Sequence, residues 1–172
     1  VKQMTNLIQT SASSSQNQSK YEANVASVAG KMDNRVIAAY QQLGFKLVVD
    51  PSVNCSGYFD ARSRSITMKQ IDDSVYHELG HFLAFIAGNA DKTASFQSIF
   101  AAEKANVTAF NKAYVTQNAS EYFAESVKDY ILNNASLKNT RPQTYAAVQN
   151  ALNQITDAQI AKIQKIYGAF WN

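Results

Sequence analysis

The chain has 172 residues, 46% apolar and 17% charged, with 16 Lys+Arg against 13 Asp+Glu and a net charge of +3. That length suits one domain with its own core, and the weak basicity has no Lys/Arg cluster behind it, which excludes a dedicated nucleic-acid binder. The longest apolar run, Phe82–Ala87, falls well short of the ~18 residues a membrane span needs, and the lone Cys55 excludes an internal disulfide or a Cys-based zinc site.

Taken in chain order, residues 1–19 are polar, Ser/Gln-rich and without periodicity, and read as a flexible N-terminal tail or linker ahead of a single domain over 20–172. Ser19-x-x-Glu22 has the form of a capping box. Tyr21, Val25, Val28, Met32, Val36, Tyr40 and Leu43 follow at helical spacing and predict one helix that passes Gly30 and stops at Gly44. Phe45–Val49 reads as a strand, closed by Asp50-Pro51. Tyr58-Phe59 and Ser65–Met68 predict a hairpin around the turn 60–64. Asp72 or Asp73 opens a helix over Ser74–Ala87, with Gly88-Asn89 as its stop. Further helices are expected over Ala94–Ala105, from Asn118 or Ser120 to Asn133, and from Thr140 with Pro142 in its first turn. Thr156-x-x-Gln159 opens a last helix, with Gly168 as its stop. The expected class is α+β and mostly helical, a zincin-type layout with a small antiparallel sheet or hairpin beside the 74–87 helix and a helical C-terminal part.

His77-Glu78-Leu79-Gly80-His81 carries the chemistry. The chain has two histidines, four residues apart on one helical face, where they can hold one Zn²⁺. Glu78 follows the first histidine and flanks a metal there without ligating it. From that position it can act as general base on a metal-activated water. A catalytic zinc needs a third protein ligand and an open position. No third histidine exists, so a carboxylate must serve: Asp91, Glu103, Glu121, Glu125, Asp129 or Asp157. Glu103 lies 22 residues after His81, near the thermolysin-like spacing, in the unlike context Ala102-Glu103-Lys104-Ala105-Asn106. Glu121 lies 40 residues after His81, with Glu125 one turn on. One of that pair can ligate while the other supports a histidine N–H.

HELGH followed by Glu121-Tyr122-Phe123-Ala124-Glu125-Ser126 resembles the catalytic domain of anthrax lethal factor and the related secreted Pro-Pro endopeptidases. Arg141-Pro142-Gln143-Thr144-Tyr145 resembles that family's Pro-x-Thr-Phe/Tyr segment. The resemblance implies a secreted bacterial zinc endopeptidase of toxin-like character, with one catalytic Zn²⁺ on His77, His81 and Glu121. It implies Glu125 behind a ligating histidine, and Tyr114, seven residues before Glu121, as hydrogen-bond donor to the oxyanion. A protein or peptide substrate follows, and a monomer is expected, with neither nucleic acid nor a membrane span involved. The hairpin strand Gly57, Tyr58 and Phe59 can pair with an extended substrate. The alternatives are a thermolysin-like peptidase using Glu103, or a non-catalytic zinc-bound interaction module.

Overall fold

The computed structural model describes residues 20–171. The expected tail, residues 1–19, and Ser19 of the capping box lie outside the described residues.

Four strands form one mixed sheet: β1 (Tyr21–Ala23), β2 (Lys46–Val49), β3 (Gly57–Asp60) and β4 (Ser65–Met68), in the order β1-β2-β4-β3. The expected hairpin is present and antiparallel, with Gly57 opposite Met68 and Asp60 opposite Ser65. The sheet around it is larger and not purely antiparallel: β2 runs parallel to β4, with Lys46 opposite Ser65. Tyr40 explains how a four-residue parallel pair is held. Its buried hydroxyl accepts from Ile66 N at 3.1 Å and donates to Lys46 O at 2.5 Å, tying the starts of both strands to the helix beside them.

The single long helix expected over 21–43 is corrected. Tyr21–Ala23 pairs with β2 as an edge strand. Asn24 then caps a four-residue helix α1 (Val25–Val28), and its Oδ1 accepts from Ala26 N and Ser27 N. Asp33 restarts the chain as α2 (Asn34–Gln42) by accepting from Arg35 N at 2.8 Å. Two polar caps inside one apolar pattern split it, because each offers the backbone a local alternative to continuing the helix. Gly44 ends α2 at φ +79°, as its position suggested.

Helix α3 (Ser74–Ile86) is the centre of the molecule. It packs on β3 and β4 at one side and on α6 (Ala119–Leu132) at the other. Leu79, Phe82, Leu83 and Ile86 are almost fully buried, each contributing about 1.5–3 kcal/mol of transfer free energy. Those apolar faces hold the helix in the core, and His77, Glu78 and His81 lie on it among polar partners. Gly88, at φ +81°, stops α3 as expected.

The remaining helices are α4 (Ala94–Glu103), α5 (Lys112–Val115), α7 (Asn134–Thr140), α8 (Pro142–Asn153) and α9 (Asp157–Trp171). The sequence pattern missed α5 and α7, which are too short to show a period. Helix α9 starts where Thr156 predicts, with Gln159 N donating to Thr156 Oγ1, but runs through Gly168 instead of stopping there. It carries Trp171 back to the sheet, where Nε1 donates to Ala61 O at 3.0 Å and the ring meets Phe45 edge-on.

Candidate metal centre

Helices α3 and α6 touch backbone to backbone. A Cβ on Gly80 would lie 2.6 Å from Ala124 O and 2.7 Å from Ala124 Cα. Only glycine permits that approach, and it brings His77 and His81 within reach of Glu121 and Glu125. Asn118 caps α6 by accepting from Glu121 N at 2.8 Å. That satisfies the backbone of Glu121 and leaves its carboxylate to point at the histidines.

His77 Nδ1 lies 2.8 Å from Glu125 Oε1 and its Nε2 lies 3.0 Å from Glu121 Oε1. His81 Nε2 lies 3.3 Å from the same Glu121 oxygen. The two imidazole rings stand 5.0 Å apart at 77°. Ligand atoms of His77, His81 and Glu121 all lie within 4.8 Å of one another. Two imidazole nitrogens and one carboxylate oxygen make a donor set that fits Zn²⁺. With Nδ1 of His77 held by Glu125, Nε2 is the nitrogen left to a metal, an arrangement that fixes tautomer and ring orientation together.

The charges follow from this geometry. Burial opposes a charged His77, yet the two carboxylates on its nitrogens win and raise its pKa to about 9. Hydrogen bonds from His77 and His81 hold Glu121 far below the usual carboxylate range. Glu78 is 7% exposed, and burial pushes its carboxyl up despite the neighbouring histidines. Tyr114 sits on α5, with its ring 6.4 Å from that of His77. Partial burial of its hydroxyl and the Glu121 carboxylate push its pKa up to about 12, so it remains a donor at neutral pH.

Glu78, His77 and Tyr114 line one cavity of about 420 Å³. Strand β3 forms the rim beside them. Among the described residues it is an edge strand of the sheet, and Gly57 abuts the site: a Cβ there would be 3.5 Å from Glu78 Cγ and 2.8 Å from Thr67 O. Tyr58 is exposed and Phe59 turns toward Phe45 and Phe82. Cys55 is an exposed thiol on the cavity wall.

Glu103 is elsewhere. Buried at 5% exposure, it accepts from Gln143 N, Thr144 N and Thr144 Oγ1 at the start of α8. The thermolysin-like alternative is thereby corrected: the carboxylate at that spacing is committed to a helix N-terminus, where backbone donors are otherwise unpaired. Among the described residues, His77, His81 and Glu121 are the group able to hold a metal ion. Sequence reasoning placed Gly57 on the substrate strand without its steric role, and missed Gly80 and Lys128, whose Nζ lies 3.9 Å from Glu125 Oε2. The three-residue spacing of Glu125 and Lys128 on a helix was the available signal.

Fold and site together define an α+β, mostly helical domain with a candidate His-His-Glu metal centre on two crossed helices. The family model for anthrax toxin lethal factor, N- and C-terminal domain, matches residues 59–151, just over half of the chain. The protein belongs to that family. No curated protein matches the chain. No helix among the described residues is long and apolar enough to cross a membrane.

Proposed function

We propose that the protein is a secreted zinc endopeptidase. The observation that carries this reading is the convergence of His77, His81 and Glu121 beside a cavity that also presents Glu78 and Tyr114. The lethal-factor-like family, which includes the zinc metalloprotease of the anthrax toxin, supports it.

His77, His81 and Glu121 would hold the ion, which would supply Lewis-acid polarisation of the scissile carbonyl and a water of lowered pKa. Glu78 takes the water proton and later delivers it to the leaving amine. Its position beside the histidines and on the cavity wall suits a group that relays that proton between the two steps. The Tyr114 hydroxyl donates to the carbonyl oxygen as negative charge develops, a contribution of up to about 3–4 kcal/mol for such donors. Glu125 orients His77. Strand β3 pairs with an extended substrate and holds the bond over the cavity. The setting consistent with the family is secretion by a bacterium, as a toxin-like monomer acting on protein substrates.

The test is cleavage of a diverse peptide library by wild type and Glu78→Ala, with cut sites read by mass spectrometry. Cuts made by wild type, absent from Glu78→Ala, abolished by chelation and restored by Zn²⁺ are the expected result. A zinc-loaded wild type that cuts nothing would point instead to a metal-bound interaction module.

A further inference from the structure

Helix α6 has two polar faces. Glu121, Glu125 and Lys128 recur at helical spacing on the face toward the histidines. Tyr122, Ser126 and Asp129 recur at the same spacing on a second face, turned toward α8 and Arg141. Nothing in the metal chemistry uses that second face, yet Tyr122 is 1% and Ser126 0% exposed, and Thr144 of α8, which meets Tyr122, is 0% exposed.

The hydrogen bonds there form a chain with one direction. Glu103 Oε1 accepts from Thr144 Oγ1 at 2.7 Å. A hydroxyl has one proton, so Thr144 Oγ1 must accept from Tyr122 OH, 2.6 Å away. The order is therefore Tyr122 to Thr144 to Glu103, and the carboxylate is anchored further by Gln143 N and Thr144 N. Arg141 adds a second clamp, reaching Ser126 Oγ at 3.3 Å and Asp129 Oδ2 at 2.6 Å, with its guanidinium 5.5 Å from the centre of the Tyr122 ring.

Tyr122 is the immediate neighbour of Glu121, and Ser126 of Glu125. A helix is rigid over one turn, so fixing one face fixes the other. An atom at the rim of a helix lies about 5–6 Å from its axis, so a rotation of about 10° moves it by about 1 Å. Metal–ligand distances tolerate about 0.2 Å. The site is thus sensitive to the rotation of α6.

We propose that the buried chain Glu103–Thr144–Tyr122 is a positioning device for the metal centre. It sets the rotation of α6 and thereby the reach of Glu121 and Glu125 to His77 and His81. Glu103 is in this sense a positioning residue, acting through two hydroxyls on ligands it never touches. The inference rests on the metal reading of the site.

The experiment compares full-length wild type, Tyr122→Phe, Glu103→Gln and Val148→Ala. Tyr122→Phe removes one hydroxyl and keeps the ring. Val148 is a fully buried core residue of the same helix α8, with no part in the chain, and serves as a control for lost stability. Zinc affinity is measured by competition with a chromophoric chelator on folded protein, and the visible spectrum is recorded with Co²⁺ alone. Tyr122→Phe and Glu103→Gln should each weaken Zn²⁺ binding about tenfold or more, as supporting residues of metal ligands do, and should shift the Co²⁺ bands. Val148→Ala should lower the melting temperature without changing either readout. If both chain variants bind like wild type with an unchanged Co²⁺ spectrum, the chain is only structural and the proposal fails while the metal site stands. Should Glu103→Gln not fold, Tyr122→Phe alone decides. A wild type that takes up neither Zn²⁺ nor Co²⁺ would overturn the metal reading itself, and the proposal with it.

Discussion

Glu125 stands directly behind His77 in the candidate metal centre. It is 8% exposed, and one oxygen holds His77 Nδ1 while the other faces Lys128. Replacing it by Gln keeps the shape and an acceptor but removes the charge that orients and enriches the imidazole. Zinc affinity should fall about tenfold, toward the lower end for groups behind a ligand, with the fold retained. Competition titration against a chelator checks this; unchanged affinity would reduce Glu125 to a partner of Lys128. The residues that could be read in the sequence are those whose meaning lies in spacing. His77 and His81 stand one turn apart, as do Glu121 and Glu125, and a helix turns that spacing into a shared face. Gly80 and the true task of Glu103 were not legible, because each depends on what another segment places against it: Ala124 and Thr144 are distant in sequence and close only in the fold.

The crossing of α3 and α6 is the element on which the centre depends. Gly80→Ala sets two effects against each other. Alanine favours a helix interior by about 1 kcal/mol over glycine. Overpacking costs about 1–3 kcal/mol, or more where nothing can yield. Here the obstruction is the Ala124 backbone, which cannot rotate aside. The clash therefore wins: the helices must part, the melting temperature should fall, and metal affinity should fall more than the lost stability alone accounts for. A variant that melts higher than wild type and still binds zinc would show that the crossing adapts. The same reasoning explains which elements the sequence revealed. Helices α3, α6 and α8 and the hairpin carry long apolar patterns or clear caps, and all lie close to their expected bounds. The stretch 21–43 failed because a helical period survived in residues that the fold divides between an edge strand and two helices. There, pairing with β2 and the capping side chains of Asn24 and Asp33 outweighed periodicity.

For the molecule as a whole, one hydrophobic cluster runs from Ala23 to Ile163 among the described residues, and the His-His-Glu group sits beside it, outside the apolar packing. Metal removal should accordingly loosen the protein without unfolding it, in contrast to small domains whose metal is their core. Zinc at 100 times its dissociation constant stabilises a folded state by about 2.7 kcal/mol. For a domain of this size that corresponds to a rise in Tm of roughly 5–11 °C. Calorimetry with and without a chelator should show a lowered but still cooperative transition; collapse of the fold on chelation would make the site structural.

The last helix returns Trp171 to the end of the proposed substrate strand, with its indole hydrogen-bonded to Ala61 O and Arg64 over the ring at 5.2 Å. It is the only tryptophan of the chain. The protein therefore carries a built-in fluorophore seated against Ala61, the residue that follows β3. Its emission responds to a single place, so a peptide that docks along the strand announces itself as a change of colour or intensity, with no label attached and before any bond is cut.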